Sequence, residues 1–437
     1  LRSRELAAVF RKDLSELFAS RAWWLLLIVI GLLTGQAFIQ SVEAYSEASA
    51  PGALAQALSP LDGIVTPTLG AYELAIMLLF PFVAIRLVSA ERSSGALKLM
   101  QQWPLAMRHH LGSKLLTLLT AWLLSLLPFA IAMALWKSRG GHLDAREVAV
   151  VLTGYSLRFV MTSAIAMAAA ALLPGAANAA VAVLAFTIGT WALDFLATGR
   201  GGWLQRIAGY TPAAATRNFE RGLLRADVVA VMLIVSALAF ATAAIWLPHG
   251  RRLRSRVVRT VVVAMAGVIA LVAVSHLHAS ADVSEDQRNS VSHADARTLA
   301  SIREPLTITI YLSSEDPRAN DFERNVLVKL RRELPSLDVR YPLAGRSGLF
   351  ENDDRYGTIE YTLGAHHAVS RSVTEEIVLD TIEELAGLRP PARGESAYPG
   401  YPLRSEPRGA ALIFYLLWPA AVIAVLIARR PRSRRTG

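Results

Sequence analysis

Apolar residues run in long unbroken stretches through the first 280 positions and again near the C-terminus, with short basic patches between them. A helix needs about 20 mainly apolar residues to cross the hydrocarbon of a bilayer. Eight stretches meet that length, approximately 22–39, 69–89, 115–136, 148–173, 176–196, 227–247, 257–277 and 410–428. The seventh reaches full length only if Arg259 extends its charge to the membrane surface. Before the first stretch, residues 5–20 place Leu6, Phe10, Leu14 and Leu17 on one helical stripe, with Arg11, Lys12, Asp13 and Glu16 elsewhere. That pattern predicts an amphipathic helix lying in the inner interface.

Residues 280–408 have a different texture. Thr307–Leu312 alternates as a strand, 316–334 reads as a charged amphipathic helix, and Leu337–Tyr341 and Gly357–Leu363 read as further strands. Glu375–Leu388 is a second helix, with Ile377, Ile382 and Leu385 expected on its buried side. Strands alternating with helices predict a small α/β domain. The Pro- and Gly-rich stretch 389–408 reads as a linker back to the last span.

Charge supplies the orientation. Cytoplasmic loops collect Lys and Arg, and the N-terminal segment, the loops 90–114 and 248–259 and the tail are all basic, whereas 40–67 has neither residue. Both termini are therefore expected in the cytoplasm and 280–408 outside. The loop 197–227 carries Arg200, Arg206, Arg217, Arg221 and Arg225 on the side the alternation assigns to the exterior. Short helices folding back into the outer interface are the expectation there. The first apolar run lacks a convincing cleavage site and is expected to remain as a span. The net charge of +10 is concentrated beside apolar runs, which suits membrane orientation and argues against nucleic-acid binding. With no cysteine in the chain, thiolate chemistry and cysteine metal sites are excluded.

After the second span the chain reads AERSSGALKLMQQWPLAMRHHLGSKLL, residues 90–116. This resembles the signature region of type-2 ABC exporter permeases, where an acidic residue and a glycine open a short cytoplasmic helix, a proline closes it and a lysine begins the third span. The matching positions are Glu91, Gly95, Pro104 and Lys114, with Leu99 on the short helix between them. A second acidic residue usual in that family is replaced by Arg92. Residues 209–226 are similar to the segment before the last permease helix in gliding-motility-type members. The stretch from 281, with 373–387 later, is similar to the auxiliary protein that accompanies them.

The resemblance implies a six-span ABC permease domain over 22–256, preceded by the interfacial helix 1–21. A seventh span at 257–279, an extracytoplasmic auxiliary domain and linker at 280–408, and an eighth span with a basic tail at 409–437 follow. It implies a bacterial inner-membrane exporter subunit, two copies of a separate ABC ATPase that bind ATP and Mg, and a second permease copy or homologue. A non-transporting anchoring or assembly complex driven by the same ATPase is the alternative. No G-x-x-x-x-G-K-[ST] loop occurs, so no cofactor is expected in this chain and it is not expected to be an enzyme by itself.

Among the ionisable residues within the apolar runs, Arg158, Glu73 and Asp194 are the candidate intramembrane polar sites. An arginine at a span centre costs roughly 2.5–3.5 kcal/mol and each large aliphatic neighbour returns about 0.3–0.6. The fourth span is marginal on that balance unless Arg158 has a partner or a wet cavity. Glu73 is the expected partner, and Asp194 is expected nearer the outer surface. The pairs His109–His110, His276-x-His278 and His366–His367 offer two ligands each, which makes a poor metal site, and the 351–354 acids read as solvated surface.

Overall fold

In lipid every backbone N–H and C=O must be satisfied within the segment, which leaves the helix as the form a single apolar run can take. In the computed structural model eight helices among the described residues are long and apolar enough to cross a membrane. They are Arg21–Ala48, Leu61–Ser93, Met107–Ser138, Ala145–Leu172, Ala176–Ala197, Ala226–Trp246, Leu253–Val274 and Ala410–Ala428, called spans one to eight below. The chain is a multi-pass helical membrane protein. The structure describes residues 2–50, 59–100, 102, 106–197, 204, 207–248, 250, 252–274, 276–277, 279–313, 316–334, 336–343, 355–390, 398 and 400–429.

Each predicted run lies within or against one of these helices, and several helices are longer than the runs. Span two starts at Leu61, eight residues before the apolar stretch, where Ser59 Oγ accepts from the Leu61 amide at 3.1 Å and Pro60 stands at an opening that needs no amide donor. A π-helical turn, Ala75–Leu79, ends two residues before Pro81 in the same span. Proline cannot donate to the preceding turn, and a widened turn accommodates that loss.

The chain divides into two compact units. The first comprises Leu1–Ile188, Ala226–Leu277 and Pro399–Gly437. Its helix ends fall into two groups. At one end, Arg92 of span two donates to the carbonyls of Ala170, Ala171 and Leu173 at the close of span four. Arg429 after span eight lies over the rings of Phe18 and Trp24 at 4.7 and 5.7 Å. At the other, Tyr45 near the end of span one donates to the Tyr401 carbonyl (2.7 Å), and Arg139 after span three donates to the carbonyls of Glu406 and Arg408. His142 stacks on Tyr401 at 3.7 Å. Spans one to four and eight therefore alternate in direction.

Span eight docks on span one through a close approach. A Cβ on Gly31 would lie 2.1 Å from Trp418 Nε1, and one on Gly35 would lie 2.3 Å from Phe414 Cβ. Trp418 Nε1 donates to the Leu27 carbonyl at 2.9 Å. The Gly31-x-x-x-Gly35 spacing puts both glycines on one face, where only hydrogen leaves room for the aromatic rings.

The second unit comprises Gly189–Arg225 and His278–Tyr398. Strands β1 (Leu223–Arg225) and β2 (Ser280–Asp282) pair antiparallel. Strands β3 (Leu306–Ile310), β4 (Asp338–Arg340), β5 (Ile359–Leu363) and β6 (His366–Ser370) form a sheet of order β4-β3-β5-β6. β3 and β4 are parallel, so the helical segment 317–333 between them is their crossover. Leu306, Ile308 and Ile310 face a core shared with Phe322, Leu327, Leu330, Ile359, Tyr361, Val378 and Ile382.

The structure departs from the sequence reading at four places. The fully buried positions of helix Arg2–Ala19 are Val9, Asp13 and Leu17; of the expected stripe Leu17 is buried, Leu14 is half-buried against the core and Leu6 and Phe10 are half-exposed, because the third span covers the acidic position. In helix Glu375–Leu385 the buried apolar residues are Val378, Leu379 and Ile382, with Glu383 buried beside them, while Ile377 is 48% exposed. At 100° per residue Ile377 lies 140° from Ile382, so the two cannot share a face. Strand β6 carries exposed or half-exposed residues on both faces, which leaves no alternation to read. The loop 197–227 holds a helix, Pro212–Glu220, as expected, but also β1, which joins it to the segment after span seven.

Candidate functional site

The amphipathic helix brings an aspartate into the protein instead of leaving it in the interface. Asp13 has no exposed surface, and its carboxylate faces the first turns of span three. Lys114, 2% exposed, lies 3.4 Å from Asp13 Oδ1 and 2.9 Å from Glu91 Oε2. Lys12 closes the other side at 2.8 Å from Glu91 Oε1 and 4.0 Å from Asp13. Ser113 Oγ donates to Asp13 Oδ2 at 3.3 Å. Two ammonium groups and two carboxylates from three helices thus make one cluster, and the half-exposed Glu16 adds a third carboxylate at 3.4 Å from Lys12.

The electrostatics are asymmetric. Burial pushes the Asp13 carboxyl above the usual carboxylate range, with Lys114 pulling the other way. For Lys12 burial opposes the charge, but the hydrogen bond and attraction of Glu91 outweigh it and raise its pKa above the ordinary lysine value. A buried pair of this kind gains little against an apolar replacement, yet removing one member leaves an uncompensated charge at a cost of about 3–5 kcal/mol. His110, one turn before Lys114, is also buried, and neither of its ring nitrogens has a hydrogen-bond partner among the described residues.

The residues expected in the coupling region separate into two groups. Glu91 and Lys114 meet inside the cluster. Glu91 sits in the last turn of span two, so it closes that span and does not open the short helix as expected. The short helix is Ala96–Met100, entered through Gly95 at φ 75°. A side chain is disfavoured in that left-handed conformation even though nothing crowds the site. Leu99 on this helix is 65% exposed. Pro104 lies outside the described residues.

Within the membrane helices, Arg158 Nη2 meets Glu73 Oε1 at 2.9 Å, with side-chain exposures of 5% and 43%. Glu73 precedes the π-helical turn of span two by two residues. Asp194, near the end of span five, takes two hydrogen bonds from Arg217 at 2.6 and 2.8 Å, which accounts for one of the arginines in the basic loop 197–227.

Sequence reasoning missed Lys12, Asp13 and Arg92 as site residues. Arg92 occupies a position that is usually acidic in the resembling family, and here its guanidinium satisfies three carbonyls at the C-terminal end of span four, where a cation suits the helix dipole. The available signal for Asp13 was its i, i+4 spacing from Val9 and Leu17. Comparison with known proteins found no matching family model, no matching curated protein and no matching solved structure.

Proposed function

We propose that this chain is the membrane-spanning subunit of an ATP-driven exporter of the type-2 ABC class. A separate ATPase, present in two copies, binds ATP and Mg and grips the segment 91–104. A second permease copy or homologue completes the pathway. The membrane is the bacterial inner membrane, with both termini cytoplasmic and 280–408 an extracytoplasmic α/β domain that handles substrate or a partner protein.

The observation that carries this reading is the cluster of Lys12, Asp13, Glu91 and Lys114 beside the short helix Ala96–Met100. A push on the short helix passes through Gly95 into Glu91, and Glu91 is tied to span three and to the amphipathic helix by charged contacts. Three helices are then displaced together, which is what a lever between a motor and a membrane requires. The exposed Leu99 gives the motor an apolar point of contact. Support for the orientation comes from the same end of the helix array, which gathers the basic N-terminal segment and Arg429.

Co-purification of the chain with its ATPase and measurement of hydrolysis in vesicles tests the reading. Leu99→Glu is expected to abolish stimulation of the ATPase at unchanged protein level. Full activity of the chain without any nucleotide-hydrolysing partner refutes the proposal, as does resistance of 280–408 to protease added from outside intact inner-membrane spheroplasts. Coupled hydrolysis without accumulation of any cargo in the vesicles would favour the anchoring alternative over export.

A further inference from the structure

Two stretches far apart in the chain close one cavity in the second unit. The pairing of β1 with β2 carries Arg221 to the turn at 285–289, where Asn289 Nδ2 donates to the Arg221 carbonyl at 2.6 Å. Arg332 Nη1 clamps the same turn through the Asn289 carbonyl at 3.0 Å. Between this turn and the helical segment 317–333 lies a cavity of about 320 Å³, lined by Arg221, Arg288, Asn325, Lys329 and Glu375 among others. Leu223 and Val328 form an apolar wall. That volume is at the small end of the range for small-molecule sites, roughly 300–1,000 Å³.

The lining has three cationic side chains against one carboxylate, and the carboxylate is engaged with Lys329 at 2.7 Å. Two of the cations are held in place by neighbouring side chains. Arg288 lies over the Tyr398 ring at 5.0 Å, and the Lys329 side chain is only 12% exposed. Tyr398 is itself anchored through its hydroxyl to Glu285 at 3.3 Å. Arginine forks match the oxygens of a phosphate in pairs, and a lysine adds a point charge. Groups whose rotamers are set before binding lose little freedom on binding. Glu375 at the same rim accepts a hydroxyl or ammonium placed beside the phosphate and disfavours a second anionic arm.

We propose that this cavity binds the phosphate of a small phosphorylated molecule, either free or as the headgroup of a lipid. The inference stands apart from the export reading, since binding needs neither the ATPase nor transport.

The test uses the purified full chain in neutral detergent and in phosphatidylcholine nanodiscs. Glycerol 3-phosphate is titrated by calorimetry, and nanodiscs containing phosphatidic acid are compared with those without it by thermal melting. Asn325→Asp places a carboxylate at the exposed mouth without removing any packed group. It is expected to weaken the response at least tenfold at an unchanged melting temperature of the unliganded protein. Arg303→Gln, in a different groove of the same unit, is expected to leave the response unchanged. A response to glycerol 3-phosphate identifies a free ligand, and a response confined to phosphatidic acid identifies a headgroup. No response to either probe, or an equal response from Asn325→Asp, overturns the proposal.

Discussion

Lys114→Met gives the sharpest reading of the buried cluster. Methionine fills a similar length of chain, so the change removes a charge more than it opens space. In the wild-type protein Lys114 is the nearest cation to Asp13, at 3.4 Å, and also meets Glu91 at 2.9 Å. Loss of one member of a buried pair costs about 3–5 kcal/mol. Lys12 offsets part of this, since it already lies 2.8 Å from Glu91. It stands 4.0 Å from Asp13, too far for a hydrogen bond, so the penalty falls mainly on that carboxylate. The low end of the range, about 3 kcal/mol, is therefore expected. Equilibrium unfolding in mixed SDS micelles, followed by tryptophan fluorescence, measures it. The same assay on Asp13→Asn and on the double variant completes a cycle. The two changes are expected to be non-additive by about 0.5–3 kcal/mol, with the double variant more stable than the sum of the singles implies. A cycle that closes additively, or a Lys114→Met cost below about 0.5 kcal/mol, the usual effect of a surface change, refutes the claim that the cluster ties these helices together.

Other outcomes follow from the remaining contacts. Glu73→Gln leaves Arg158 without its carboxylate and is expected to cost up to roughly 2.5–3.5 kcal/mol in the same unfolding assay, with Glu73→Gln/Arg158→Met recovering most of it. If the pair is only structural, that double variant retains wild-type transport at equal protein level. Gly35→Leu is expected to displace span eight from span one. Because the chain has no cysteine, a pair introduced at Gln36→Cys and Tyr415→Cys, whose native side chains hydrogen-bond, reports it by loss of the crosslink. In the second unit, the hydrogen bond from Arg318 holds Asp316 below its ordinary value near 3.8, with burial opposing the shift. A lowered folded-state pKa contributes stability that is present above the ordinary value and lost as pH falls through the folded one. Asp316→Asn is therefore expected to flatten the acid limb of that unit's thermal stability below about pH 4, and an unchanged acid limb refutes the assignment.

The eight spans were legible because a bilayer imposes a rule on each segment separately. Length and apolarity decide insertion before any helix meets another, so runs such as 227–247 or 410–428 need no tertiary information. Alternating Leu306, Ile308 and Ile310 marked a strand for the same local reason, the two-residue period of side chains on a sheet. Glu73 could be named as partner for Arg158 because few ionisable groups lie within the apolar runs.

The tertiary structure alone decided which surfaces meet. Asp13 and Lys114 are separated by a hundred residues, and their contact depends on how the amphipathic helix is rotated against span three. A stripe of apolar residues constrains that rotation only loosely, and here the covered face carries a charge. The close approach of Gly31 and Gly35 to Trp418 and Phe414, and the joining of 189–225 to 278–398, likewise depend on helix crossings and strand pairing between distant segments. Local periodicity encodes which face of an element is apolar; it does not encode which neighbour will cover it.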